Sequence, residues 1–119
     1  MSQPWRGIFP IVVTPLTPTY ELDEESLRKV TRFCIEAGVH GLVGPAMASE
    51  FSTLSDDERR RWIEIVVAEA SGQVPVIAAT TAGHDVPAVA LCQYAQSVGA
   101  DGIIALPPPI QHPNADGCY

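Results

Sequence analysis

Few residues of this 119-residue sequence have the chemistry to attack, protonate or ligate a substrate, and their positions decide which of them could act. The most suggestive stretch is Gly38 to Glu58, GVHGLVGPAMASEFSTLSDDE. Gly41-Leu42-Val43 is a brief apolar run, and Gly44-Pro45 ends it, because proline offers no backbone donor and glycine accepts torsions that other residues avoid. Ser55 stands three residues before Glu58, the capping-box spacing, so a helix is expected to start at Asp56. Between the two signals lie Ala46, Met47, Ala48, Ser49 and Glu50, placed where parallel α/β proteins keep their ligand sites. His84 and His112 both follow apolar runs and could join Glu50 around a divalent metal. Against that reading, the two histidines form no short-range ligand pair, and isolated loop histidines are ordinarily only solvated; His40 falls at the opposite end. Cys34, Cys92 and Cys118 are odd in number and form no C-x-x-C pair, which reads as reduced thiols and not a zinc site. The single lysine is Lys29.

A formal net charge of -7 would repel a phosphate backbone or an anionic membrane, so nucleic acid is not an expected partner. With 46% hydrophobic and 18% charged residues the composition is that of a globular α/β domain. No apolar run approaches the roughly 20 residues of a spanning helix. Met1-Ser-Gln-Pro-Trp5 lacks the basic and apolar regions of a signal peptide, and the expected compartment is the cytoplasm.

The elements that would position these residues can be read in order. Gly7 to Thr14 is a nearly continuous apolar run closed by Pro15, the pattern of a strand buried on both faces. Asp23 can cap a helix with Glu24 and Glu25 in its first turn and Leu27, Val30, Cys34 and Ala37 at helical spacing, stopped by Gly38. The helix after Ser55 carries Trp62, Ile63, Val66, Val67 and Ala70 on one side and ends near Gly72. Its Arg59-Arg60-Arg61 run reads as a solvated face balancing Asp56, Asp57 and Glu58. Val74 to Thr80 is the third strand. Asp85 and Pro87 open a third helix, with Ala88, Leu91, Ala95 and Val98 on one face, and Gly102 to Leu106 is the fourth strand. Ala37-Gly38-Val39-His40-Gly41-Leu42-Val43 repeats in pattern as Val98-Gly99-Ala100-Asp101-Gly102-Ile103-Ile104. Helix, glycine stop and buried strand at that period indicate stacked βα units with parallel strands. Two architectures use them, a small open sheet or just under half of an eight-fold barrel.

Four words in register favour the barrel. Gly7-Ile-Phe-Pro-Ile-Val-Val-Thr-Pro15, Glu36-Ala-Gly-Val-His-Gly-Leu-Val43, Ser49-Glu50-Phe51 with Thr53-Leu54-Ser55, and Val74-Pro75-Val76-Ile77-Ala78 resemble, in order, the opening of the dihydrodipicolinate synthase and N-acetylneuraminate lyase family. The resemblance implies an α/β fold of parallel βα units: residues 1-119 as the N-terminal part of a (β/α)8 TIM barrel, about four strands and three helices. On that reading the domain is truncated after strand four, with no second domain. It also implies a cytoplasmic lyase, usually a homo-oligomer, in which a lysine forms a Schiff base with pyruvate or another 2-oxo acid and a tyrosine relays protons, without a cofactor.

Lys29 falls on an outer helix by its pattern, and Tyr20, Tyr94 and Tyr119 match neither role, so the Schiff-base lysine and relay tyrosine are expected beyond Tyr119. The family word Gly-Thr-Thr-Gly-Glu is replaced here by Ala46, Met47, Ala48, Ser49 and Glu50. Substrate binding is therefore expected from the Ala46 to Ser49 amides, among them those of Met47 and Ala48, with the Ser49 hydroxyl; an alternative has Ser49 as a loop filler pointing away. Glu50 is expected to brace the loop by accepting backbone amides, and Thr14 to support it. The paired tyrosines common after strand four fall on Pro109 and Ile110. These departures suggest a divergent branch, an aldolase or dehydratase of sugar-derived 2-oxo acids. Two other readings stand beside it: a metal-dependent aldolase built on His84, His112 and Glu50, and a non-catalytic truncated product or self-associating half-barrel.

Overall fold

A computed structural model of the protein describes residues 4–107. Its centre is a parallel sheet of β1 (Leu42–Gly44), β2 (Val76–Ala79) and β3 (Gly102–Ile104), hydrogen-bonded in that order. Val43 lies beside Ile77, and Ala79 beside Ile104. Parallel neighbours cannot be joined by a hairpin, so each connection returns through a helix. The helices are α1 (Glu24–Glu36), α2 (Asp56–Ala70) and α3 (Asp85–Ser97).

The first apolar run takes the position of a fourth strand beside β1 without becoming a regular one. His40 N donates to the Ile8 carbonyl at 2.9 Å, Val43 N to Pro10 O at 3.0 Å and Val12 N to Val43 O at 3.0 Å, yet the pairing amounts to one parallel bridge, Ile11 to Val43. Pro10 has no N–H to give, and Gly7 bends the chain at φ 100°, so the ladder cannot extend toward the amino end. The other expected strands form in place but shorter, at Val76–Ala79 within 74–80 and Gly102–Ile104 within 102–106.

The helix starts follow from their caps. Asp23 accepts from Ser26 N at 3.0 Å and from Ser26 Oγ at 2.7 Å. In the Ser55 capping box, Glu58 N donates to Ser55 Oγ at 3.2 Å and Ser55 N to Glu58 Oε2 at 2.8 Å. The cap of α3 is His84, one residue earlier than the Asp85 signal, and makes no side-chain bond. The core lies between the helices and one face of the sheet, where Leu27, Trp62, Ile63 and Val66 meet Leu42, Val76 and Ala78. A Cβ on Gly44 would collide with the Trp62 ring, so glycine there lets α2 sit against the end of β1. The opposite face carries Ile11, Val13 and Ile104, exposed by 41%, 52% and 46%. Trp5 and Phe9 cover the amino end of this face, their ring centroids 6.4 Å apart and their rings lying against Gly102 and Gly41.

Arg59 differs from the expectation of a solvated arginine run, since it is only 5% exposed. It precedes Trp62, Ile63 and Val66 by three, four and seven residues, which places it on the buried face of α2. Arg60 and Arg61 do face outward. Arg61 makes a two-pronged pair with Glu24 of α1, 2.8 Å on each arm, and joins Glu64 at 3.2 Å.

Candidate functional site

The loop after β1 is built from two single 3-10 turns, Met47–Ser49 and Phe51–Thr53, joined by Glu50 in the left-handed region at φ 57° and ψ 40°. Small residues permit so tight a path, and two buried hydroxyls fix it to the first apolar run. Ser49 is fully buried, and its Oγ donates to the Val12 carbonyl at 2.5 Å. Thr14 Oγ1 donates to the Ser49 carbonyl at 2.6 Å. Within the first turn, Ser49 N donates to Ala46 O at 3.0 Å and Glu50 N to Met47 O at 2.9 Å. The amides of Met47 and Ala48, first in the turn, therefore have no partner inside it, as the opening N–H groups of any such turn must.

The structure thus divides the expected substrate-binding residues. Ser49 spends its amide within the turn, on Ala46 O, and its hydroxyl on the Val12 carbonyl of the first apolar run, so both of its donors are engaged. Met47 and Ala48 stay at the exposed lip. Thr14 lies where it holds the loop. Glu50 acts through its backbone torsions; its carboxylate is exposed and accepts no backbone amide among the described residues, because the left-handed turn carries the side chain away from the loop amides.

Beside this loop, at the carboxyl end of the sheet, is a cavity of about 130 Å3. Met47 and Phe51 of the loop form one side, Ile11 the second, and Thr81, Ile104 and Leu106 the third. Thr81 Oγ1 accepts the Leu106 amide at 3.0 Å. Arg59 lies behind Phe51, its guanidinium 5.2 Å from the ring centre, and donates to the Ala79 carbonyl at 3.3 Å. Its Nε has no partner, and burial pushes its pKa down, with the charge of Asp56 opposing that shift. Sequence reasoning missed Arg59 and Phe51 as the props of the loop. The signal was present in the helical spacing of Arg59 with Trp62 and Ile63, masked by the two outward arginines that follow it.

The other candidates lie apart from the cavity. Lys29 is exposed on α1 and paired with Glu25 at 2.7 Å, a contact that raises its pKa. His84 is exposed with Nδ1 3.6 Å from Asp85, while His112, Cys118, Pro109, Ile110 and Tyr119 fall outside the described residues. No group of three His, Cys, Asp or Glu side chains that could hold a metal occurs among the described residues. Cys34 is half-buried, and burial raises its thiol pKa, which makes it a poor nucleophile. No helix of the described residues is long and apolar enough to cross a membrane.

Comparison with known proteins returns the same parallel βα architecture. The chain is 42% identical over 115 residues to a 4-hydroxy-tetrahydrodipicolinate synthase of Methanopyrus kandleri, covering 96% of this chain and 38% of that protein. It superposes on a crystal structure of dihydrodipicolinate synthase with a TM-score of 0.89 at 34% identity, over 94% of this chain and 38% of the other. A prophage protein of the dihydrodipicolinic acid synthase family from E. coli K12, solved in complex with pyruvate, matches with a TM-score of 0.86 at 32% identity, over 89% and 36%. The chain thus spans somewhat over a third of the length of these relatives and corresponds to the N-terminal portion of their TIM barrel. The family model for the dihydrodipicolinate synthetase family matches residues 4–119, and the chain belongs to that family.

Proposed function

We propose that this chain forms the amino-terminal βα units of a Schiff-base (class I) aldolase or lyase acting on pyruvate or another 2-oxo acid, with the amides of Met47 and Ala48 reading the substrate carboxylate. The observation that carries the reading is the cavity at the carboxyl end of the sheet, bordered by a loop whose first two amides have no partner within their turn. Successive amides in such a loop form an anion-binding concavity without side-chain donors. Thr14 and Ser49 hold those amides in place, and Arg59 with Phe51 supports the wall behind them.

The Schiff-base amine comes from outside these 119 residues. An attacking amine must be neutral, which burial favours and a carboxylate neighbour opposes. Lys29, the single lysine, has the opposite environment: it is exposed, on an outer helix, and held charged by Glu25. Residues 1-119 then contribute the first βα units of a barrel that works as part of a homo-oligomer in the cytoplasm, where thiols such as Cys34 stay reduced.

Incubating the complete polypeptide with pyruvate and borohydride, followed by intact mass and peptide mapping, tests the reading. One reduced adduct per chain on a lysine other than Lys29 is expected. An adduct on Lys29, or none with any 2-oxo acid, would overturn it.

A further inference from the structure

The proposed function leaves the substrate beyond its carboxylate and keto group undefined, and the wall of the cavity bears on it. On the sheet side the cavity is lined by Ile11, Ala79 and Ile104, all hydrocarbon, with Ala79 and Ile104 on one register line. The loop adds Met47 and Phe51, and the segment after β3 adds Leu106. Two of the nearby hydroxyls are committed elsewhere, since Ser49 Oγ donates to Val12 O and Thr14 Oγ1 to Ser49 O. The Thr81 hydroxyl accepts the Leu106 amide and keeps its own hydrogen, so it is the one side-chain donor of the described wall. Among the described residues no charged side chain lines the cavity, Arg59 lying behind the Phe51 ring.

A sugar-derived acid brings a hydroxyl on nearly every carbon, and with Thr81 as the one side-chain donor of the described wall, most of them would lose their water partners without replacement. An alkyl or aryl chain loses nothing there and gains about fourfold in affinity for each methylene removed from water. We infer that the site accepts 2-oxo acids whose chain beyond the keto carbon is a hydrocarbon, and that Met47, Phe51, Ile104 and Leu106 set this preference. The inference rests on the 2-oxo acid reading above, and it replaces the sugar-derived acids that the loop sequence alone suggests.

The test measures dissociation constants by calorimetry on the complete polypeptide for pyruvate, 2-oxohexanoate and the six-carbon 2-oxo-3-deoxy acid hydroxylated at its last three carbons, with imine trapping by borohydride run in parallel. The alkyl acid is expected to bind at least tenfold more tightly than either of the others. Met47→Gln and Leu106→Gln replace apolar groups by amides of similar length at positions 69% and 48% exposed, so neither removes a core side chain. Each is expected to lower the ratio of alkyl to hydroxylated affinity by about tenfold, as the gain or loss of one hydrogen bond to a buried group would. Equal or tighter binding of the hydroxylated acid while pyruvate still traps as an imine would overturn the inference and leave the proposed function standing. Absence of trapping with all three acids would overturn both.

Discussion

Ser49 and Thr14 are small residues with a large share in the loop's geometry, because each satisfies a buried backbone carbonyl that nothing else reaches. Removing a buried donor leaves its acceptor desolvated and unpaired, at a cost of about 1–3 kcal/mol. Ser49→Ala and Thr14→Val are each expected to lower unfolding free energy in urea by that amount. Ser52→Ala, at an exposed position of the second turn, is expected to stay within about 0.5 kcal/mol of the parent. Equal stabilities for all three variants would mean the two hydroxyl bonds do not hold the loop. At this scale the sequence located the loop but not the direction of its side chains. Ser49 was legible as the one hydroxyl in the turn; that it donates backward to Val12 depends on a contact across 37 residues, which no local pattern encodes. Arg59 illustrates the same limit, since three consecutive arginines look alike until the helix assigns one of them inward.

The elements were more legible, because caps and glycine stops act over four or five residues. The Ser55 box, the Asp23 cap and the stop at Gly38 stand where the sequence indicates, and the repeated glycine words lead into β1 and β3. The first apolar run was legible as extended chain but not as an interrupted ladder, since Pro10 matters only once a neighbour needs its missing donor. Two predictions belong here. Ser71 closes α2 in the left-handed region at φ 47°, which glycine adopts without the Cβ penalty, so Ser71→Gly is expected to stabilise by about 1 kcal/mol in chemical denaturation. A loss of stability would show that the turn is held by the serine itself. The second concerns the joint between α1 and α2. The Arg61 hydrogen bonds, then its charge, hold the Glu24 pKa below its ordinary 4.5. A carboxylate whose folded pKa is depressed adds stability above its unfolded pKa and loses it as pH falls through the folded value. Arg61→Gln is therefore expected to be less stable than the parent at pH 7, by on the order of 1 kcal/mol or less for so exposed a pair, with the gap closing below about pH 4.5. A gap independent of pH would assign the effect to packing.

For the whole molecule, the apolar inward face decides behaviour. Ile11, Val13, Ile104 and Leu106 stand 41–52% exposed on the side away from the helices. At roughly 25 cal/mol per Å2, a few hundred Å2 left open costs several kcal/mol, comparable to the stability of a domain. The 119-residue chain by itself is therefore expected to self-associate or to exchange its sheet amides rapidly; strong global protection in a dilute monomer would contradict this. Periodicity allowed both an open sheet and a half-barrel, because the βα repeat is common to both, and the resemblance of four spaced words decided between them. The most direct test of the account is the crystal structure of the complete polypeptide trapped with pyruvate by borohydride. The account predicts the pyruvate carboxylate at hydrogen-bond distance, about 3 Å, from the amides of Met47 and Ala48, with the Ser49 hydroxyl still turned toward Val12. A carboxylate held elsewhere, or held by Ser49 Oγ, would contradict it.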